Sequence, residues 1–421
     1  MPHFAVIGAG ITGITTAYAL LDRGHDVTVL DRHRYAAMET SYANGGQLSA
    51  STAEVWTHRA TVLKGLRWML HADAPLRVDP WPSWRKARWM LEFLSNIPNY
   101  RRNTVETVRL AIAARHVLFD MAEREGIDFD LERRGILHVY TDAAELAHAR
   151  AVNALLAEGG LERREVAPEA IPAIEPALPR DLLGGFYTPS DASGDIHKFA
   201  VGLAEACRRR GAAVRLGTAV ERVDADDAGV RIATDRAEER FDGVVVCAGV
   251  ASRGLARQLG DRVEVYPVKG YSITVDLPDA ASRAAAPRVS LLDDRAKIVT
   301  SRLGEDRLRI AGTAEFAGEN RDIRDDRIRP LVAWCERFFP GVSTEHVTPW
   351  AGLRPMTPSM MPRVGRGAKP GVYYNTGHGH LGWTLSAATA RLVAESVESG
   401  PTVRRFTGPR GTARLARSTS S

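Results

Sequence analysis

The stretch HFAVIGAGITGITTAYALLDRGHDVTVLD, His3 to Asp31, constrains the fold more than any other part of the 421-residue chain. Phe4, Ala5, Val6 and Ile7 read as a short buried strand. Gly8, Gly10 and Gly13 follow at the spacing G-x-G-x-x-G, and ITGITTAYALLDRG reads as a helix closed by Gly24. HDVTVLD is a second strand, ending on Asp31 18 residues after Gly13. The glycine pattern alone is weak, but strand, glycine turn, helix, strand and acid in this order form a specific dinucleotide-binding unit. Gly8 permits the tight turn, Gly10 lets backbone approach a pyrophosphate, and Gly13 lets the helix pack on the strand. The helix N-terminus presents unpaired N–H groups and partial positive charge to phosphates. An acid at Asp31 accepts hydrogen bonds from ribose hydroxyls and disfavours a 2′-phosphate. FAD or NAD therefore fits better than NADP.

The spacing recurs once. NTGHGHLGWT, Asn375 to Thr384, places Gly377, Gly379 and Gly382 in the same pattern, after a strand (GVYYNTG) and before a helix (WTLSAATARLVAESVES). No strand ending in an acid follows, so a second dinucleotide unit cannot be built from the remaining chain. What remains is a glycine-lined helix N-terminus aimed at a group that is, or becomes, negative. A reduced flavin is such a group, and backbone N–H groups of Gly379 to Gly382 would stabilise the charge near its N1 and O2. One FAD, held by its phosphates at the first loop and by its ring at the second, accounts for both loops.

Between the loops, Leu48 to Leu183 reads as mostly helical, with a strand in RGILHVY, Arg134 to Tyr140. DIHKFAVGLAEACRRRG reads as a helix capped by Asp195 and stopped at Gly211. AAVRLGTAVERV and VRIATD read as strands. FDGVVVCAGVAS is a buried strand running into a small-residue turn at Ala248 and Gly249, where backbone can approach a ligand. YSITVDL, KIVTSRL and RLRIAGT read as antiparallel strands of a second sheet. The expected fold class is α/β. A discontinuous Rossmann-like FAD-binding domain takes 1–50, 184–255 and 346–400, and an interleaved α+β substrate domain carrying an antiparallel sheet takes 51–183 and 256–345. A chain of this length is too long for one core. Residues 401–421 read as a basic, disordered tail.

The formal charge of +5 is local. The tail carries five arginines and no acid, and Trp81 to Arg102 carries Arg85, Lys86, Arg88, Arg101 and Arg102 against Glu92 alone. A whole-surface nucleic-acid footprint is therefore not indicated, and no nucleic-acid partner is expected. Trp81, Trp84 and Trp89 beside those bases fit either a surface at an anionic membrane interface or a helical cap with core tryptophans. No apolar run approaches the ~20 residues that span a bilayer, and no secretory signal opens the chain. The expected location is the cytoplasm, with room for a peripheral contact on the inner face of the cytoplasmic membrane. Cys207, Cys247 and Cys335 lie far apart and form no metal-type spacing, so no metal is expected.

The blocks VIGAGITGITTAYALLDRGHDVTVLDR, ETSYANGGQLS, YPVKGYSITV, WAGLRPMTPSMMPRVGR and NTGHGHLGWT together resemble the bacterial D-amino acid dehydrogenases. These are FAD enzymes of the wider D-amino-acid oxidase, glycine oxidase and sarcosine oxidase group. The resemblance runs in order from residue 4 to about 398. It implies non-covalent FAD, since no cysteine lies near GLRPMTP, where some sarcosine oxidases attach flavin. It implies oxidative deamination of D-amino acids to 2-oxo acids and ammonia, with electrons passed to a quinone or another respiratory acceptor. A D-hydroxyproline dehydrogenase or a glycine- or sarcosine-type oxidase stays open as the alternative.

The resemblance assigns residues one by one. Gly8, Gly10, Gly13 and Asp31 match the ADP-binding positions, and Ile7, Ala9, Ile11, Thr12, Arg32, Val220, Ala248 and Gly249 are further candidate cofactor contacts. Ser41, Asn44, Gly45, Gly46 and Gln47 match the loop that follows FAD inward to its ring, and Gly377, His378, Gly379, His380, Leu381, Gly382 and Thr384 match the flavin-ring loop. Arg354, in GLRP, matches the arginine that related amine-oxidising flavoenzymes use for the substrate carboxylate, a task its fork suits. The chain departs from the family pattern at Ser359, where Asp is common. Tyr271 is a candidate substrate contact or a hydrogen-bonded core residue. His380 and Tyr271 are the candidate acid–base groups, with a structural role equally open for each, and for His378. Lys269 reads as a solvated charge.

Overall fold

The computed structural model describes residues 1–59, 61–62, 65 and 75–399. The basic tail thus lies outside the described residues.

Two large sheets organise the chain. The first has six strands in the order Arg363–Arg366, Val372–Thr376, Gly243–Val246, His3–Ile7, Asp26–Asp31, Ala213–Leu216. All its pairings are parallel except that of Arg363–Arg366 with Val372–Thr376. Its central strands are buried on both faces, and Phe4–Ile7 and Val244–Val246 read as unbroken apolar runs, as a covered parallel sheet requires. Helices Ile11–Leu21, Ile196–Arg209 and Gly382–Glu398 contribute to the core on one face. A three-stranded antiparallel sheet over 220–241 packs on the other. The Ile196–Arg209 helix begins as expected, with the Asp195 carboxylate accepting from the His197 and Lys198 N–H groups.

The parallel strands fix the geometry of the site. Val372–Thr376, Gly243–Val246 and His3–Ile7 lie side by side and run the same way, so their carboxyl ends share one edge. The second glycine loop, the Ala248–Gly249 turn and the first glycine loop leave that edge next to one another. A crevice beyond the carboxyl ends of parallel strands is where α/β folds bind ligands.

The second sheet has nine strands. The path runs Val347–Met356, Tyr266–Asp276, Arg307–Phe316, Ile298–Leu303, Ser290–Asp293, Ile136–Tyr140, Gly184–Thr188, Arg164–Val166, and Leu76–Val78 pairs with Arg307–Phe316 off this path. It is antiparallel as expected except for two parallel pairings, Ser290–Asp293 with Ile136–Tyr140 and Arg307–Phe316 with Leu76–Val78. Sheet membership departs from the expected boundaries at two places. Gly184–Thr188 and Val347–Met356 pair into this sheet, not the parallel one. Among the described residues each pairs only with strands of the second sheet, Val347–Met356 with Tyr266–Asp276 and Gly184–Thr188 with Ile136–Tyr140 and Arg164–Val166. One bulge matters below. Lys269 pairs Glu315 but Tyr271 pairs Gly312, so Thr313 and Ala314 together stand opposite Gly270 and the Arg307–Phe316 strand carries one extra residue.

Candidate active site

A cavity of about 1140 Å³ runs from the first glycine loop to the second, over the nine-stranded sheet. Ile7, Gly8, Gly10, Ile11 and Thr12 line one end with Asp31, Arg32, Val220, Ala248 and Gly249. Three expected residues, Ala9, Gly13 and Gly46, do not line it. Gly8 has φ +111°, and a Cβ there would lie 2.6 Å from the Cys247 carbonyl oxygen. A Cβ at Gly13 would lie 1.7 Å from the Gly8 carbonyl oxygen, so this glycine exists for helix–strand packing. Gly10 differs: its Cβ would meet only Ser41 Oγ at 3.4 Å, and the space around it belongs to the cavity. The helix Ile11–Leu21 starts there with no side-chain cap from Gly10 and no acid in its first turn, leaving positive character for an anion.

Asp31 is fixed by backbone. Its carboxylate accepts from the Ala9 N–H (2.6 Å) and the His33 N–H (2.8 Å). Lone pairs remain for a ribose. Arg32 turns to Glu39, which also takes His33 and Arg321. Burial would raise the Glu39 carboxyl, but hydrogen bonds from Arg321, His33 and Arg32 outweigh it and hold it below the usual range.

The 43–47 loop is clamped to the second sheet by side chains that sequence gave no means of finding. Ser272 Oγ donates to the Ala43 carbonyl (2.6 Å), Arg309 Nη1 to the Asn44 carbonyl (3.0 Å), and Ser301 Oγ to the Gly45 carbonyl (2.8 Å). Gln47 Nε2 donates back to the Leu291 and Thr300 carbonyls. Asn44 Oδ1 accepts from the Gly46 N–H, and Gly46 has φ +73°. Ser41 Oγ accepts from the Ile11 N–H (3.0 Å), tying this loop to the first helix. Ser272, Ser301 and Arg309 come from three strands, and only folding brings them to one loop.

At the second loop, Gly377 (φ +77°) and Gly379 (φ +59°) are pressed against the passing chain. A Cβ would lie 2.5 Å from Thr357 Cγ2 at the former and 2.7 Å from Met356 Sδ at the latter. His378 Nε2 meets Thr389 Oγ1 at 2.9 Å inside the protein, and burial pushes its pKa down to about 3. His380 stacks on Trp56, with ring centroids 4.8 Å apart. Burial first, then the Arg354 charge, pushes its pKa down to about 4. Both rings are thus neutral near pH 7. Leu381 belongs to the core, and Thr384 Oγ1 accepts from the Ser49 N–H. The helix Gly382–Glu398 also starts with no side-chain cap and no acid in its first turn.

Arg354 is partly buried, with its side chain on the cavity. Nη1 donates to the Thr313 carbonyl (2.8 Å), and among the described residues no acid pairs with it. Burial pulls its pKa down to about 10, so it stays cationic at neutral pH. A partly buried, desolvated cation that faces a cavity and pairs with no acid among the described residues is poised to take a carboxylate from a ligand.

Two expectations change here. Tyr271 borders the cavity, but its hydroxyl donates to Glu315 Oε2 (2.7 Å) in the core. Burial first, then that carboxylate, raises its pKa, so it is neither a free base nor a free substrate donor. Lys269 is not solvated. It is buried, donates to Asn320 Oδ1 (2.6 Å) and lies 3.6 Å from Glu315. Strand alternation could not reveal this, because the loop at 320–322 that covers it is remote in sequence.

The residues fit FAD. Two helix starts whose N-cap residues offer no side-chain cap face one cavity from its two ends, one beside a ribose-type acid and one beside the Arg354 cation. The three cysteines are buried, Cys247 among them at the cavity wall.

Comparison with known proteins agrees. The FAD dependent oxidoreductase family matches residues 3–396. The chain is 63% identical over 400 residues to D-amino acid dehydrogenase 3 of Mesorhizobium japonicum, covering 94% of this chain and 97% of that one. It is 43% identical over 405 residues to D-amino acid dehydrogenase of Paramagnetospirillum magneticum, covering 94% and 95%. Glycine oxidase from Geobacillus kaustophilus has a similar fold, with TM-score 0.74 at 21% identity over 94% of this chain and 95% of that one. L-proline dehydrogenase from P. horikoshii gives TM-score 0.74 at 16% identity, covering 95% and 94%. The chain belongs to the FAD-dependent oxidoreductase family, alongside the D-amino acid dehydrogenases, and its cofactor is FAD.

Proposed function

We propose that this enzyme oxidatively deaminates D-amino acids with small side chains, D-alanine-like, to 2-oxo acids and ammonia, and passes the electrons to a quinone-type acceptor. The single observation that carries the substrate half is Arg354, a partly buried cation on the cavity that pairs with no acid among the described residues. The names of the relatives support the D-amino acid class. The dehydrogenase name and the family resemblance support an acceptor other than oxygen.

Bound FAD supplies the hydride acceptor. The protein anchors the substrate carboxylate on the Arg354 fork and so fixes the Cα. His380, neutral and stacked on Trp56, walls the same space without adding charge. Water takes the ammonium proton, since Tyr271, His378 and His380 are held away from a base's working range. The backbone N–H groups at the start of the Gly382–Glu398 helix stabilise negative charge at the ring. A discontinuous FAD-binding unit is supported by the parallel sheet, whose strands come from 3–31, 213–246 and 363–376, with Gly184–Thr188 and Val347–Met356 on the substrate side. Arg354→Ala removes a charge-assisted contact worth roughly 2–4 kcal/mol. The expected outcome is unchanged flavin content with half-saturation for D-alanine raised at least 30-fold. Unchanged half-saturation rejects the assignment. An anaerobic flavin-reduction screen with D- and L-amino acids, sarcosine and cyclic imino acids tests the substrate class.

The membrane reading narrows to one face. Trp89 is core, 3% exposed, with Nε1 donating to the Met356 carbonyl. Arg85 and Lys86 are tied to Glu319, Val265, Asp79 and Trp81. Trp81 and Trp84 are 77% and 85% exposed, and Leu91, about two helical turns on from Trp84, is exposed as well. This face is the surface proposed to sit on anionic lipid. No helix among the described residues is long and apolar enough to cross a membrane. Co-sedimentation with anionic liposomes should fall in a Trp81→Ala, Trp84→Ala double variant. Equal sedimentation with the parent protein rejects the face.

A further inference from the structure

Arg354 is held by a feature of the second sheet that no functional residue advertises. Its strand, Val347–Met356, pairs Tyr266–Asp276 so that Arg354 stands opposite Val268, and Gly352 opposite Gly270. The Arg354 side chain crosses the Tyr266–Asp276 strand to reach the Thr313 carbonyl on the strand beyond. It does so by lying over Gly270. A Cβ on Gly270 would sit 2.3 Å from Nη2, 2.4 Å from Cζ and 2.6 Å from Nη1. The guanidinium therefore fills the space of the missing side chain. Gly270 has no positive φ, so conformational freedom is not what requires glycine there.

The second half of the cradle is the bulge. Thr313 has φ +59°, the left-handed region, which a β-branched residue rarely occupies. It lies where the register slips between the Lys269–Glu315 and Tyr271–Gly312 pairs. In an undisturbed ladder its carbonyl would serve a neighbouring strand. Here it accepts from Nη1 at 2.8 Å, and its own Oγ1 is buried without a partner. Strained backbone that ends on the one functional cation is expected where position matters more than stability.

We propose that Gly270 and the Thr313 bulge are positioning residues that seat the Arg354 fork flat on the sheet, with one Nη1 donor spent on the bulge carbonyl and the remaining edge presented to the substrate carboxylate. This rests on the reading of Arg354 as the carboxylate anchor. Gly270→Ala is the sharp probe, because the clashing atoms are the far end of a flexible side chain. The protein can fold by displacing the fork, so the cost falls on ligand binding.

The test is a double-mutant cycle on the FAD-loaded enzyme, comparing the parent, Gly270→Ala, Arg354→Lys and the double variant. The ligand is 2-methylalanine, which keeps amine and carboxylate but has no α-hydrogen to lose. Binding is read from perturbation of the flavin absorbance, and thermal midpoint and flavin content are measured alongside. Gly270→Ala is expected to weaken binding at least 10-fold with flavin content and midpoint near the parent. In the Arg354→Lys background the same change should cost less than 2-fold, since the ammonium has no planar fork to displace. Thr313→Gly, which keeps the carbonyl and removes the strain, should bind as the parent does and melt no earlier. Equal cost of Gly270→Ala in both backgrounds overturns the cradle, as does parent-like binding by Gly270→Ala. If Arg354→Lys and Arg354→Ala both bind like the parent, the anchor reading fails first and the cradle with it.

Discussion

The two glycine loops have the same spacing and different physics. In the first, Gly13 is the critical contact: helix and strand approach so closely that a Cβ would lie 1.7 Å from a backbone oxygen. In the second, the equivalent glycine, Gly382, has nothing nearer than His378 Cβ at 3.8 Å. The burden there falls on Gly377 and Gly379, which hold left-handed backbone and make room for Thr357 and Met356. The first loop is thus shaped by a helix returning onto its own strand. The second is shaped by the strand that carries Arg354 passing beneath it, with Met356 bridging to His378. A glycine pattern reports that backbone needs room, and the neighbour that takes the room decides what the loop is for.

The largest effect should come from breaking the first loop. Gly13→Ala puts a methyl into the Gly8 carbonyl, and no side chain can move to relieve it. Overpacking against backbone costs about 3 kcal/mol or more. The expected outcome is poorly folded protein without flavin. Gly10→Val is the milder companion. It has space in the protein but fills the approach to the pyrophosphate, so it should fold, melt within a few degrees of the parent and purify colourless. Full flavin content in Gly10→Val would falsify the placement of the ADP half.

Acid should strike the second loop. His378 and His380 are neutral in the folded protein, with pKa values of about 3 and 4, against about 6.5 when unfolded. As pH falls below about 6.5 the unfolded chain takes up protons that the folded chain refuses. The stability these two rings contribute is complete above pH 6.5 and is lost progressively toward pH 4. Each group contributes up to about 1.4 kcal/mol per pH unit. His378→Gln should therefore flatten the pH dependence of unfolding free energy by about 1 kcal/mol per unit between pH 4 and 6. Urea denaturation at a series of pH values measures it, and an unchanged slope would mean that this ring titrates normally.

The contrast also explains what could be read without a structure. The first unit was legible because all its parts are local: strand, turn, helix, strand and Asp31 fall within about thirty residues, and each part obeys a short-range rule. The second loop was legible as a loop, but the reason for Gly377 and Gly379 was not, because Met356 and Thr357 reach them through tertiary packing. The same limit hid Ser272, Ser301 and Arg309, which satisfy three successive carbonyls of the 43–47 loop. It misplaced Gly184–Thr188 and Val347–Met356, since strand identity can be read from a run of residues but strand partners cannot. Tyr271 was ambiguous and Lys269 was misread for a related reason. Whether a polar residue in a strand meets solvent or a buried Glu315 depends on what packs over that face.

The smallest predicted effect is the most diagnostic of the comparison. Gly382 completes the second G-x-G-x-x-G, and by motif alone it should be as intolerant as Gly13. Its φ is −53°, ordinary for a helix, and it opens the helix Gly382–Glu398. Alanine there meets nothing closer than ordinary van der Waals distance. The backbone N–H, the atom proposed to face the flavin ring, is unchanged by the substitution. Replacing glycine by alanine in a helix stabilises by about 0.5–1 kcal/mol when the conformation is compatible. Gly382→Ala should keep its flavin, keep D-alanine turnover within about 2-fold, and melt at or slightly above the parent temperature. Loss of flavin in Gly382→Ala would show that the cofactor ring needs the space beside this Cα, which would make the second loop a close-approach site like Gly10 and erase the distinction between the two loops.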